Sequence, residues 1–217
     1  MSEPGTCALG YNNLRFDDEV GRHLFYRNLI DPYAREWQNG NSRWDLIDVV
    51  RAFHALRPDG IVWPTRDDGS PSFKLEDLTA ANGIEHAGAH DALADVRATI
   101  ELARLLRRSN ANLFDHLLAM RGKRAVGQAI DVASRKPVLH ISRRYPASRG
   151  CSALVMPLAE HPTNPNGSSS MISPWTPNLC CRWMHSRFAS GSSSAMMIWP
   201  RASRAFRSRS SISTSVR

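Results

Sequence analysis

The 217-residue sequence is poor in cysteine and contains no long apolar run. Its four cysteines have neither the CxxC spacing of a metal site nor the density of a disulfide scaffold, which predicts a reducing, cytoplasmic setting. No stretch of about 18 apolar residues occurs, so a transmembrane helix is not expected. The first ten residues lack the basic start and apolar centre of a secretory signal, so export is not expected either.

Acidic residues are absent from residues 168–217, which contain seven arginines and fifteen serines but no lysine. The whole chain has a formal net charge of +8, a value that suggests nucleic-acid binding. The first 167 residues, however, hold 21 basic and all 20 acidic side chains, so they are nearly neutral. The basic character therefore belongs to the tail and does not by itself indicate a DNA-binding surface on the body.

Hydrophobic periodicity and turn residues predict a mixed α/β chain. Strands are predicted over 7–13, 136–146 and 152–162, and helices over 17–30, 43–56, 73–82, 90–108 and 112–121. Leu93, Val96, Ile100 and Ala103 share one face of helix 90–108, as in an amphipathic helix. Gly83 is expected to stop the helix before it.

The first motif with chemical meaning is His90 followed by Asp95 at the start of a predicted helix. Two-metal phosphodiester hydrolysis needs carboxylates to hold the ions and a base to deprotonate the attacking water, and histidine suits the base role at neutral pH. By itself this H-x4-D spacing is better explained by a helix-capping histidine and a solvated aspartate.

The second motif is NNLRFDDEV, which places Asp17 at a strand-to-helix transition. Ligands of open α/β sheets bind at such strand ends. The simpler alternative is that Asp17 or Asp18 caps the N-terminus of helix 17–30.

Together, and in this order, the two motifs resemble the second and third motifs of the DEDDh 3′→5′ exonucleases, which have an RNase H-like fold. Longer phrases make the resemblance more specific. CALGYNNLRFDDEVGRHLFYRNLIDPYAREW, NSRWDLIDVVRAFHALRP and DDGSPSFKLEDLTAANGIEHAGAHDALADV are similar to the bacterial exodeoxyribonuclease I family. The resemblance covers residues 7–167 and implies hydrolysis of single-stranded DNA to mononucleotides in repair and recombination.

The resemblance implies specific roles for residues of this sequence. Asp17 and Asp95 correspond to metal ligands for Mg²⁺, with Mn²⁺ as a possible substitute, and His90 corresponds to the general base. All three are catalytic residues by this resemblance. A monomer is expected.

The resemblance also implies contacts with partners. Arg22, Trp37 and Lys74 correspond to positions near single-stranded DNA, and Arg57 to a position that helps bind the C-terminal tail of single-strand-binding protein. Lys74 stands where an arginine is expected, which puts bidentate phosphate recognition in doubt there. A solvated charge or a core tryptophan is an equally good explanation of these four residues.

The sequence departs from the family pattern at both ends. The family's Asp-x-Glu motif should precede Asp17, and none of the sixteen residues before Asp17 forms it. The prediction is therefore a truncated RNase H-like exonuclease domain (1–110) without its first strands. A linker helix and the start of an SH3-like β domain follow (111–167). Without the Asp-x-Glu carboxylates, impaired or absent activity is expected.

The tail (168–217) is predicted to be frameshifted and disordered. When its residues are back-translated with GC-rich codons and read from the third codon position, segments of ordinary acidic content such as IVDDLAMD emerge. We expect the break near Asn166 and Gly167. A different class of function also stays open, namely a non-catalytic module that binds single-stranded nucleic acid or single-strand-binding protein.

Overall fold

A computed structural model describes residues 3–86, 91–160, 162, 168–172 and 196–198. Among these residues the strands are β1 (Cys7–Gly10), β2 (Ser42–Asp45), β3 (Val138–Ile141), β4 (Ser152–Glu160), β5 (Ser168–Ile172) and β6 (Met196–Ile198). The α-helices are α1 (Asp17–Arg27), α2 (Leu46–Leu56), α3 (Leu75–Ala81), α4 (Ala92–Ser109), α5 (Ala111–Ala119) and α6 (Lys123–Ala129). The mixed α/β organisation predicted from the sequence is present.

The first sheet consists of β1 and β2, which pair in parallel from Cys7 with Ser42 to Gly10 with Asp45. The helix predicted over 43–56 is therefore wrong at its start, because residues 43–45 belong to a strand. The change of structure occurs at Asp45, whose side chain accepts a hydrogen bond from the Ile47 backbone and caps α2.

The main core is built around α2. Leu46, Val49, Val50 and Phe53 are fully buried, as their shared face predicts. Residues of α4, α5, β3 and the turn before β4 join the same apolar cluster. Gly150 lies so close to α2 that an added Cβ would come within 3.2 Å of the Ala55 Cβ. The part of the chain that begins with β3 is thus packed directly against α2.

The second sheet has the order β5-β4-β3-β6, with β3 and β4 antiparallel. β3 and β4 confirm two of the predicted strands. Within the predicted disordered tail, Ser168–Ile172 pairs with β4 and Met196–Ile198 pairs with β3. For the rest of the tail, which lies outside the described residues, disorder stays a prediction. No described helix is long and apolar enough to cross a membrane.

The apolar stripe of α4 departs from the expectation for an amphipathic helix packed on a core. Leu93 and Val96 are each 55% exposed and Ile100 is 40% exposed, whereas Ala103 is buried. The buried face instead contains Ala98, Thr99, Leu102, Ala103 and Leu106. Periodicity identified a real face, but within the described residues nothing buries its first three members.

We expect the double variant Leu93→Gln, Val96→Gln to change the free energy of unfolding by less than about 1 kcal/mol, since exposed substitutions change it by about 0.5 kcal/mol each. The variant should also self-associate less, because exposed apolar patches promote association. Urea denaturation and sedimentation velocity measure the two effects. Arg104→Gln, at a polar and exposed position of α4, is the control. A loss above 2 kcal/mol would show that the stripe is buried in solution.

Candidate active site

The junction between β1 and α1 is shaped by a tight turn. Gly10 ends β1, and a Cβ at this position would lie 2.6 Å from the Asn13 Cβ, so a side chain does not fit there. Asn12 adopts a left-handed conformation with φ of 60°, which asparagine tolerates better than most residues. A short 3-10 turn over Asn13–Arg15 then leads into α1 at Asp17.

Asp45 holds this turn from the end of β2. Its fully buried carboxylate accepts hydrogen bonds from the Asn12 backbone (2.7 Å) and from the Leu14 backbone (3.4 Å). Burial, together with the nearby Asp48 carboxylate, raises the pKa of Asp45 to about 6. Arg15 approaches Asp45 at 3.9 Å and Asp48 at 3.1 Å, and its charge opposes that shift.

Asp17 and Asp18 are neighbours with opposite surroundings. Asp17, the first residue of α1, is exposed. Asp18 is buried and forms ion pairs with Arg35 at 2.8 Å and with Arg43 at 2.7 Å. Neither aspartate caps the helix, because the N-cap residue is Phe16 and no side chain forms the cap hydrogen bond. Asp18 therefore anchors the start of α1, while Asp17 presents a carboxylate to solvent.

Arg22 lies in an internal network rather than on an open surface. Its guanidinium donates to both carboxylate oxygens of Glu36, at 2.8 and 3.1 Å, and to Glu19 at 2.5 Å. The hydrogen bond to Glu36 is the main reason why the pKa of Arg22 is raised. The guanidinium also stacks over the Tyr33 ring at 5.1 Å. These contacts fix α1 against the following segment, so contact with DNA stays a prediction for Arg22.

Of the other predicted binding residues, Trp37 and Lys74 are exposed and Arg57 is half-buried. Trp37 is 62% exposed and follows the 3-10 turn Ala34–Glu36. Lys74 is exposed immediately before α3. Arg57 ends α2, where its guanidinium donates to the Leu56 carbonyl oxygen at 2.7 Å. An exposed ring and an exposed ammonium are suited to contact with a nucleic acid, but no described contact tests that role.

Asp95 lies in the first turn of α4, and its carboxylate oxygen is 2.7 Å from Nε2 of His86. The Asp95 side chain is 45% exposed and the His86 side chain 6% exposed. Asp91, which caps α4 by accepting from the Ala94 backbone, fixes the start of the helix. His90, the predicted general base, lies outside the described residues.

Sequence reasoning did not identify His86 as part of this site. The segment GIEHAGAH contains two histidines four residues apart, and the H-x4-D spacing that ends at Asp95 begins at the second of them. The first is the one that the structure pairs with Asp95. His86 lies three residues after Gly83, the predicted helix stop, where φ is 65°. This position was the sequence signal that could have identified His86.

The described carboxylates suit a divalent cation as a partial ligand set. Asp17 and Asp95 offer hard oxygen donors, which Mg²⁺ and Mn²⁺ prefer. Among the described residues, however, no three His, Cys, Asp or Glu side chains cluster closely enough to hold a metal ion. The donor chemistry therefore fits the metal, and the described set is smaller than a complete two-ion site requires.

Comparison with known proteins supports the same fold. Residues 1–103 match the family model described as Exonuclease, and residues 121–169 match the Exonuclease I SH3-like domain. The RNase H-like domain followed by an SH3-like domain is thus present. The chain is 58% identical over 163 residues to exodeoxyribonuclease I of Escherichia coli K12 and 53% identical over 166 residues to that of Haemophilus influenzae.

Solved structures agree with the sequence relatives. The E. coli exonuclease I complex with a dA16 oligonucleotide superposes with a TM-score of 0.77 at 56% identity, covering 79% of this chain and 36% of that chain. A complex described as ExoI/SSB-Ct gives a TM-score of 0.75 at 54% identity, covering 79% of this chain and 37% of that one.

The matches extend over much more of this chain than of its relatives. They include 75% and 76% of this chain, but 34% and 35% of the two curated relatives. The chain thus spans about a third of the length of the curated relatives it matches. With an exonuclease match, an Exonuclease I SH3-like match and an identity above one half across the aligned region, the chain belongs to the exodeoxyribonuclease I family.

Proposed function

We propose that this chain represents part of a 3′→5′ exonuclease that removes mononucleotides from single-stranded DNA in repair and recombination. The observation that supports this most directly is the match of residues 1–103, which include Asp17 and Asp95, to the family model described as Exonuclease, together with 58% identity to exodeoxyribonuclease I over 163 residues. Both carboxylates are accessible at the first turns of helices. The cytoplasm stays the predicted location.

In this proposal the acidic residues hold the cation and His90 moves the proton. Asp17 and Asp95 would hold a divalent metal, Mg²⁺ or Mn²⁺, which would supply charge stabilisation for hydrolysis of the phosphodiester. His90 would accept a proton from the attacking water, a role that suits histidine at neutral pH. The buried ion pairs of Asp18 keep the first turn of α1 in place and thereby orient Asp17.

Binding of the strand is assigned to exposed residues. Trp37 would stack on a base, a contact that tolerates any sequence, and Lys74 would neutralise a phosphate. Arg22 would help to shape this surface by fixing the segment that leads to Trp37. Arg57 would pair with a carboxylate of the single-strand-binding-protein tail. The DNA and SSB-Ct complexes of the solved relatives support the choice of partners.

We further propose that the 217-residue chain alone is impaired as a nuclease. Asp17 and Asp95 supply two carboxylates, fewer than a complete two-ion site requires, and the described residues form no three-ligand metal cluster. Positioned metal ions supply a large part of the rate of phosphodiester hydrolysis. A non-catalytic binding module is therefore the second candidate function, favoured by the exposed ring of Trp37.

A combined binding and nuclease assay with Mg²⁺ tests both candidates. We expect the chain to bind a single-stranded oligonucleotide and to digest it slowly or not at all. Trp37→Ala should weaken binding by about 5- to 100-fold, since stacking on one base contributes about 1–3 kcal/mol. Trp63→Phe is the matched control, because Trp63 packs edge-on against His54 and donates to the Pro58 carbonyl.

Three results would change the proposal. Rapid Mg²⁺-dependent digestion that disappears in His90→Ala would refute the impairment. Absence of any binding to single-stranded DNA would argue against the module. A clear preference for single-stranded RNA over DNA of the same sequence would assign the chain to RNA metabolism instead.

A further inference from the structure

The His86–Asp95 pair differs from an ordinary surface contact in that its two members are unequally buried. The imidazole is 6% exposed and the carboxylate 45% exposed, and Nε2 lies 2.7 Å from the carboxylate oxygen. An ionised carboxylate can only accept hydrogen bonds, so Nε2 carries the proton of this contact. A fixed donor thus holds one oxygen of a carboxylate that remains accessible to an ion.

The imidazole is itself held from α3. The Thr79 hydroxyl lies 3.3 Å from Nδ1 of His86 and within 2.9–3.0 Å of the carbonyl oxygens of Leu75 and Glu76. Thr79 is fully buried, and its carbonyl accepts a hydrogen bond from the Ile84 backbone at 2.9 Å. The chain between α3 and His86 is therefore tied to α3, and the ring has a defined orientation.

We propose that His86 is a positioning residue that orients the Asp95 carboxylate for a divalent cation, with Thr79 fixing the ring. This inference rests on the proposed function, in which Asp95 is a metal ligand. Ligating carboxylates are commonly held by hydrogen bonds from a second layer of residues, and loss of such a partner weakens metal binding by about 10- to 100-fold. His86 acts through Asp95 and does not touch the metal itself.

A purely structural contact is the competing explanation. His86 could simply connect the start of α4 to α3, in which case its removal would lower thermal stability and leave the metal affinity of Asp95 unchanged. A positioning role predicts instead that removal of His86 causes a large loss of metal affinity. It also predicts rescue by a side chain that restores a donor at the position of Nε2.

Binding of Mn²⁺ to the whole 217-residue chain, followed by electron paramagnetic resonance, separates these explanations without relying on activity. The variants are His86→Ala, His86→Gln and Asp95→Asn, with His116→Ala as the matched control because His116 is exposed on α5. Melting temperatures measured in EDTA report structural loss separately. We expect His86→Ala to weaken an Asp95-dependent Mn²⁺ site by about tenfold or more. His86→Gln should recover most of that affinity, and His116→Ala should match the parent.

Each outcome decides the proposal. If Asp95→Asn removes a Mn²⁺ site and His86→Ala leaves its affinity within twofold or strengthens it, the positioning role is overturned and the metal role of Asp95 survives. If His86→Gln is as weak as His86→Ala while both variants melt well below the parent, the contact is structural. If Asp95→Asn changes no Mn²⁺ binding, the metal site of the proposed function fails, and the role of His86 fails with it.

Discussion

Asp18→Ala should lower the free energy of unfolding by about 3–5 kcal/mol, which is the effect of removing one partner from a buried ion pair. Asp18 is 3% exposed and is paired with both Arg35 and Arg43. Loss of the Asp18 carboxylate leaves two largely buried guanidinium groups with less neighbouring negative charge. Arg43 retains Glu36 at 3.0 Å, so the greater part of the penalty falls on Arg35. Urea denaturation measures the change.

Asp17→Ala is the matched control, since it removes the same side chain one residue earlier in the same helix. Asp17 is exposed, so its substitution should change the free energy of unfolding by no more than about 0.5 kcal/mol. The pair of variants separates structural from functional acids: Asp18→Ala tests the anchor, and Asp17→Ala is the variant for metal-binding assays. A loss below 1 kcal/mol for Asp18→Ala would contradict the buried network.

The sequence predicted most of the regular elements, because their signals are local. Asp17 begins α1 and Gly83 follows α3, as predicted. The start of α2 was mispredicted because its apolar spacing is compatible with a strand as well as a helix. The deciding facts are long-range: Arg43 and Trp44 pair with β1, and Asp45 is buried beneath the turn before α1. Residue spacing contains neither fact.

Side-chain burial was predicted less well than helix position. Periodicity showed that Leu93, Val96 and Ile100 share a face, but it cannot tell whether another element covers that face. The same holds for α1, where Val20 and Leu24 are 56% and 58% exposed and the buried residue is Asp18. A buried acidic residue on the face opposite Val20 and Leu24 becomes understandable only when Arg35 and Arg43, distant in sequence, are brought to it.

The candidate site shows the same division. A resemblance over long phrases identified Asp17, His90 and Asp95, whereas the surroundings that give each residue its chemistry depend on tertiary contacts. The internal partners of Arg22 and the His86 contact to Asp95 are such features.

The tail raises a different question, namely whether its reading frame is shifted. The SH3-like match ends at residue 169, near the predicted frameshift, and the nucleotide sequence across codon 167 tests that prediction.

The pH dependence of stability should contain two large and opposing contributions. Burial lowers the pKa of His140 to about 4, with Arg144 adding to the effect, and burial raises the pKa of Asp45 to about 6. Below pH 6.5 the unfolded chain protonates His140 while the folded chain does not, so this group removes stability as pH falls from 6.5 to 4. Between pH 4 and 6 the folded chain keeps a proton on Asp45 that the unfolded chain loses, so this group removes stability as pH rises.

Each contribution amounts to about 3 kcal/mol, from shifts of roughly two units or slightly more at 1.36 kcal/mol per unit. Substituting one of these two groups should therefore make the pH dependence contributed by the other visible. His140→Asn can retain the hydrogen bond that joins Nδ1 of His140 to the Tyr145 hydroxyl at 2.9 Å. The free energy of unfolding of this variant should fall as the pH rises from 4 to 6, because the Asp45 contribution remains. Asp45→Asn should show the reverse slope, losing stability as pH falls.

Urea denaturation at half-unit intervals from pH 4 to 7 measures both slopes. Because the two slopes have opposite signs, a general effect of acid on the other carboxylates cannot imitate the difference between the variants. His116→Asn is the control for a histidine exposed on α5, and its curve should follow that of the parent. Parallel curves for His140→Asn and the parent would mean that His140 is accessible to solvent in the folded chain, and that β3 packs less tightly than its contacts with β4 and Tyr145 indicate.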